Sequence, residues 1–212
     1  MIAKIKEIFS SIQGEGLFVG EKQLFIRFTG CNLTCKYCDT DFLSEPLCEY
    51  SPKSLAYEIS KYGDNVLSLT GGEPLLHADF LKEFLPLVDK KIYLETNGTL
   101  PFELNKIKDY VDVVAMDIKL ESASGNKNKF DINEEFLKIL PSKTFIKIVF
   151  DEKITEDEIN NVVKIANNVP IILQPVMPLS QNLDFEEVFN RFYSKNANVR
   201  LIPQTHKFLN VR

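Results

Sequence analysis

The chain has 212 residues, 44% of them hydrophobic, which suffices for one sizeable core and falls short of two, so one domain spanning 1–212 is expected. A formal charge of -5 provides no basic footprint for nucleic acid, and no apolar run approaches the roughly 20 residues of a membrane-spanning helix. Met1 to Phe9 mixes Lys4, Lys6 and Glu7 with apolar residues, unlike a signal-peptide core, so a soluble cytoplasmic protein is expected.

Strands are expected first at 3–9 and 23–28, with no helix between them. Later ones follow at 65–70, 92–96, 111–117, 144–150, 170–174 and 198–202. Ser51-Pro52 reads as a helix cap with proline at the first helical position, ahead of Leu55, Ile59 and Tyr62 at helical spacing. Helices are also expected at 80–88, 134–140 and 184–193. Thr155 to Glu158 has capping-box spacing and leads into an apolar stripe of Ile159, Val162, Val163 and Ala166. The Ser-, Asn-, Lys- and Gly-rich segment 121–131 is expected to be a flexible loop. Strand followed by helix, repeated, implies a parallel sheet with right-handed crossovers. A closed eight-stranded barrel normally takes about 250 residues, so the expected fold is α/β, a partial, open parallel (β/α) barrel reduced in helices.

The unusual residues follow strand ends. Thr29-Gly30-Cys31, Gly71-Gly72-Glu73-Pro74, Asn97-Gly98, Ile118-Lys119, Pro175-Val176 and Pro203-Gln204-Thr205-His206 each come after an expected strand. In parallel α/β folds the loops at the carboxyl ends of strands converge on one mouth. All six groups are therefore expected in one pocket.

Three of the four cysteines, Cys31, Cys35 and Cys38, fall within eight residues, a pattern for metal or redox work and not for a disulfide scaffold. Soft thiolates suit zinc or an iron-sulfur cluster. Zinc would need a fourth ligand from Cys48, His77 or His206, and would make the chain a zinc-stabilised binding module. Three thiolates on a four-iron cluster would leave one iron open for a ligand. Cys48 reads as a free thiol on a loop, and His77 as a helix-start residue.

Cys-x3-Cys-x2-Cys with aromatic Tyr37 before the last cysteine resembles the radical S-adenosylmethionine superfamily. The resemblance implies a 4Fe-4S cluster on Cys31, Cys35 and Cys38. Its open iron would chelate S-adenosylmethionine, which an electron from a reductant such as flavodoxin or ferredoxin would cleave to a 5′-deoxyadenosyl radical. Gly71 to Pro74 looks like the superfamily's second motif, with Gly72 and Glu73 at the methionine end of the cofactor. By the same resemblance Tyr37, Asp39, Asn97, Asp117, Lys119 and Gln174 contact the cofactor.

Ser10-Ser-Ile-Gln-Gly-Glu-Gly16, Arg27, the Cys38-Asp39-Thr40 continuation and the closing Gln204 to Lys207 together resemble the 7-carboxy-7-deazaguanine synthase family along the whole chain. The family converts 6-carboxy-5,6,7,8-tetrahydropterin to 7-carboxy-7-deazaguanine with loss of ammonia, a step toward queuosine and related deazapurines. The resemblance implies substrate contacts at Ile12, Gln13, Gly14, Glu15, Arg27, Thr70 and His206, a Mg2+ contact at Thr40, and a homodimer. The residue types agree. Gln13 and Glu15 offer donors and acceptors for a guanidine-like edge. Arg27 lies in an otherwise apolar strand, where an arginine needs an anionic partner: the substrate carboxylate, or Glu73 or Asp117 in a structural ion pair. A glycyl-radical activase is the alternative within the same chemistry.

Overall fold

In the computed structural model the described residues are 1–38, 40, 48–195 and 198–211; Asp39, expected at the cofactor, lies outside them. Nine strands form one sheet: β1 (Ala3–Ile12), β2 (Lys22–Phe28), β3 (Cys48–Tyr50), β4 (Val66–Gly71), β5 (Lys91–Thr96), β6 (Val113–Ile118), β7 (Thr144–Phe150), β8 (Ile171–Pro175) and β9 (Val199–Leu201). Their spatial order is β3-β1-β2-β4-β5-β6-β7-β8-β9, so the sheet is open, with β3 and β9 at its edges. From β2 onward in this order every pair, beginning with β2 and β4, is parallel, the arrangement of a partial (β/α) barrel.

The other end differs from an all-parallel sheet. β1 is antiparallel to both β2 and β3. For β2 the reason is the short connection: Gln13 N donates to Glu21 O (2.8 Å) and Gly20 N to Gln13 O (2.9 Å), closing a tight link that no parallel crossover fits. The ladder continues through Ser10↔Leu24, Ser11↔Gln23 and Ile12↔Lys22, so β1 runs three residues beyond its expected end. Cys48 is not on a loop. It pairs with Ile5 in the short edge strand β3 and is exposed.

Eight α-helices accompany the described strands: α1 (Pro52–Ile59), α2 (Ala78–Phe84), α3 (Pro101–Ile107), α4 (Glu121–Ser124), α5 (Phe130–Leu137), α6 (Glu156–Ala166), α7 (Phe185–Tyr193) and α8 (Thr205–Leu209). Both expected caps form. Ser51 and Ser54 make a reciprocal capping box on α1, and Thr155 and Glu158 make one on α6. Helices α3 and α8 carry weaker patterns and were not anticipated. Segment 121–131 is not a free loop either, because it contains α4 and the start of α5 and is tied to α6 by Ser122 N, which donates to Glu158 Oε1 (3.0 Å). None of the helices is long and apolar enough to cross a membrane among the described residues.

Strand alternation gives the sheet two faces. One face, with Leu24, Ile26, Leu69, Met116, Ile146 and Ile148, packs under the helices in the large core. Burying each such side chain contributes about 1.5–3 kcal/mol. The other face changes along the strands. Near their starts Val66, Tyr93, Val113, Ala115, Phe145 and Ile172 form a second apolar cluster, covered by Leu17 and Phe18. Further along, the same face carries Arg27, Thr70, Glu95, Asp117 and Lys147, which line a cavity. The apolar cluster therefore closes one end of the half-barrel, and the polar cavity occupies the other.

Candidate active site

The cavity has a volume of about 240 Å3, the scale of one small-molecule ligand, and lies at the carboxyl ends of the strands. Of the expected site residues, Ile12, Gln13, Gly14, Glu15, Arg27, Cys31, Cys35, Tyr37, Cys38, Thr40, Thr70, Gly72, Asn97, Asp117, Lys119 and His206 all line it. Glu73 and Gln174 do not.

The cysteine loop leaves β2 and is fastened to the turn after β4. Gly72 N donates to Phe28 O (3.1 Å) and Glu73 N to Gly30 O (2.9 Å), while His77 Nε2 lies 2.9 Å from Thr29 O. Gly71 is required by this approach, not by a ligand: a Cβ there would stand 2.2 Å from Phe28 O, at φ +126°. Glu73, expected at the cofactor's ammonium, is fully buried and turned to the protein. Its Oε1 accepts from Leu75 N (3.1 Å) and Thr96 Oγ1 (2.8 Å), and its Oε2 from Asn97 N (2.8 Å). Burial pushes its carboxyl up to about 7 against those donors. Asn97 Nδ2 in turn donates to Asn32 Oδ1 (2.8 Å), so Glu73 acts on the cysteine loop through Asn97.

The cavity floor is a charge network. Lys147, almost wholly buried, pairs with Glu15 and stands 4.0 Å from Glu95 Oε2 and 3.8 Å from Asp117 Oδ2. Lys119 Nζ bonds Asp117 Oδ2 at 2.8 Å and lies 5.2 Å from the centre of the Tyr37 ring. Burial opposes ionisation of Glu15, but the Lys147 ammonium and hydrogen bonds from Lys147 and Gln204 outweigh it and hold the carboxyl at about 2. Burial likewise opposes the Lys119 and Lys147 charges, and their carboxylate neighbours overcome it and raise both ammonium groups above their ordinary range.

Gln13 is committed to the protein. Its Nε2 donates to Glu95 Oε1 (2.9 Å) and Gln23 Oε1 (3.3 Å), and its Oε1 accepts from Glu15 N (3.0 Å). It thus positions Glu15. The carboxyl-terminal segment crosses the same loop: Thr205 N donates to Gly14 O (2.9 Å) and Gln204 Nε2 to Glu15 Oε1 (2.6 Å). Gly14 is needed for this crossing, since a Cβ there would stand 2.4 Å from Cβ of His206 and 2.7 Å from its backbone N.

Arg27 is half-buried, and its partner is neither Glu73 nor Asp117. It is Glu7, directly opposite on β1, at 2.7 Å from Nε to Oε1. Phe9, stacked on Phe25, lies under the guanidinium at 5.7 Å from Cζ. Glu7, Glu95 and Lys147 escaped the sequence reading. A lysine inside Thr-Phe-Ile-Lys-Ile-Val-Phe carries the same signal as Arg27 and was the one open to detection.

The donor set fits a four-iron cluster with a polar ligand beside it. Three free thiols from one loop face the cavity. Among the described residues, Asp117 Oδ1 and both amide atoms of Gln174 are buried without a hydrogen-bond partner, and buried polar groups of that kind normally have one. Gln174 pairs in register with cavity-lining Val149.

Residues 25–188 match the model of the radical SAM superfamily. The chain is 36% identical to the 7-carboxy-7-deazaguanine synthase of Geobacter sulfurreducens, covering 98% of this chain and 97% of that one. It is 38% identical to the 7-carboxy-7-deazaguanine synthase of Archaeoglobus fulgidus over the full length of both. Its fold resembles the crystal structure of QueE from Escherichia coli, with a TM-score of 0.66 at 21% identity, covering 97% and 95% of the two chains.

Proposed function

We infer the reaction of this chain from its family: it belongs to the radical SAM superfamily and, within it, to the 7-carboxy-7-deazaguanine synthases. It is a lyase that converts 6-carboxy-5,6,7,8-tetrahydropterin to 7-carboxy-7-deazaguanine with loss of ammonia. The observation that carries this reading is the meeting, in one cavity, of three unpaired thiols with the Arg27 and Glu15–Lys147 charges.

Cys31, Cys35 and Cys38 would hold the 4Fe-4S cluster, and Asp117, Lys119, Asn97, Gly72 and Tyr37 would surround S-adenosylmethionine beside it, with the buried, unpartnered amide of Gln174 behind the cavity wall. When bound, the cluster would supply one-electron reducing chemistry to that cofactor. The chain's own residues bind and orient the pterin. Arg27, steadied by Glu7 and Phe9, grips the carboxylate with its planar fork. Glu15 already accepts from Lys147 and Gln204, yet a carboxylate has about four lone-pair sites, which leaves acceptor capacity for the guanidine-like edge. Thr70 and His206 flank the ring. The closed apolar end of the half-barrel excludes water from below.

Thr40, which lines the cavity, would contribute a hydroxyl to Mg2+, an ion that commonly keeps several waters. A flavodoxin or ferredoxin serves as reductant, and the enzyme works as a cytoplasmic homodimer. The charged floor suits a small polar heterocycle better than a backbone glycine of a partner protein, which disfavours glycyl-radical activation. Anaerobic incubation with the carboxytetrahydropterin, S-adenosylmethionine, reductant and Mg2+, followed by mass analysis, tests the assignment. A product lighter than substrate by the elements of ammonia is expected; unchanged substrate overturns the reading.

A further inference from the structure

The connection between β6 and α5 lies against the cysteine loop. Lys36 N donates to Ser124 O (2.9 Å), and Thr34 N donates to Asn126 Oδ1 (3.3 Å). The Thr34 contact decides which way the Asn126 amide faces, because a backbone N–H must meet the oxygen and not the NH2 group. Nδ2 is thereby the atom turned to Cys35 Sγ, 3.3 Å away, and to Ser124 Oγ, 3.4 Å away. The amide is held from its own backbone too, since Asn126 N donates to Ser124 Oγ (3.1 Å). Behind it, Asn128 Oδ1 accepts from Glu121 N (2.9 Å), and Glu158 accepts from Ser122 N (3.0 Å) and Asn128 Nδ2 (3.4 Å). By contrast, the contact to Cys31 Sγ comes from Leu33 N (3.4 Å) within the cysteine loop itself.

We propose that Asn126 is a positioning residue that donates an N–H···S hydrogen bond to the Cys35 thiolate and so sets the reduction potential of the cluster. The inference rests on the three-cysteine cluster of the reading above. A donor on a ligand sulfur draws electron density away from the irons and favours the reduced cluster, and hydrogen bonds to the sulfurs are among the levers that set such potentials. Asn126 does this as a neutral group. It raises the potential without adding charge beside a cavity already crowded with Asp117, Lys119 and Lys147.

The test is an anaerobic redox titration of the reconstituted protein, read by electron paramagnetic resonance of the reduced cluster. Asn126→Asp keeps the size and an oxygen for Thr34 but turns a carboxylate oxygen to the sulfur; Asn126→Ala removes both contacts. Both variants are expected to hold the native complement of iron and sulfide. The midpoint potential should fall in both, further in Asn126→Asp. Asn126→Asp adds the repulsion of a charge, so the neutral Asn126→Ala decides: an unchanged potential there with the cluster intact, or failure of both variants to hold the cluster, overturns the proposal. A native protein that binds no iron overturns the three-cysteine reading instead.

Discussion

Glu7 and Arg27 stand opposite each other on β1 and β2, and Arg27 Nε donates to Glu7 Oε1 over 2.7 Å. The pair is partly exposed, which limits its own contribution to stability to below about 1 kcal/mol. Its effect is to aim the guanidinium. A bidentate contact to the substrate carboxylate contributes roughly 1.5 to 3 kcal/mol, and an unpaired buried charge costs more. Arg27→Ala should therefore weaken substrate binding on the order of 10 to 1,000-fold. Arg27→Lys should recover part of that, because an ammonium lacks the fork. Glu7→Gln should weaken binding less than Arg27→Ala. Titration with substrate and with its decarboxylated analogue separates clamp from ion pair: equal losses for both on Arg27→Ala would make Arg27 purely structural.

Lys147 pairs with Glu15 and stands within 4.0 Å of Glu95 and Asp117, the last of which also has Lys119. Lys147→Met should cost about 3–5 kcal/mol of unfolding free energy, since it leaves buried carboxylates uncompensated. Adding Glu15→Gln should restore part of it. Denaturant unfolding of the single and double variants measures both, and a Lys147→Met protein as stable as the native one would refute the network.

Two carboxyls give opposite pH slopes. Glu15, held at about 2 against an ordinary 4.5, adds stability that is present above pH 4.5 and lost as pH falls toward 2. Glu73, raised to about 7, binds more protons folded than unfolded, so its contribution is full below pH 4.5 and lost as pH rises through 7. Unfolding free energy against pH should accordingly have a shallower acid limb in Glu15→Gln, where Glu158 still contributes, and change its slope between pH 4.5 and 7 in Glu73→Gln. Identical profiles for all three proteins would contradict both assignments.

Gly14→Ala should displace the carboxyl-terminal segment, because its Cβ meets His206 backbone at 2.7 Å. Overpacking of this kind costs typically about 1–3 kcal/mol. KM for the pterin should rise and 204–211 should become cleavable by proteases, while iron content stays native. A crystal structure of the variant with Thr205 still on Gly14 O would show the crossing to be more forgiving.

Replacing Cys31, Cys35 or Cys38 singly with Ala should abolish cluster binding, whereas Cys48→Ala, on exposed edge strand β3, should be nearly silent. Iron and sulfide analysis decides, and iron loss in Cys48→Ala would defeat the open-iron arrangement. Thr40→Ala should weaken the Mg2+ dependence of turnover and leave the cluster in place.

The parallel strands, the caps at Ser51 and Thr155 and the cysteine loop were legible along the chain because each depends on neighbours within a few residues. Strand periodicity, capping boxes and ligand spacing are local. Arg27 announced itself as a charge in an apolar strand, and Lys147 carried the same mark. Their partners carried none. Glu7 meets Arg27 only through an antiparallel register that β1 adopts because its link to β2 is too short for a crossover. His206 presses on Gly14, and Asn126 faces Cys35 across 91 positions, in a segment whose composition reads as loose. A one-residue change of register would turn Glu7 to the other side of the sheet from Arg27, and the two loop contacts follow from the order in which the strands stack, which brings the ends of distant segments to one mouth.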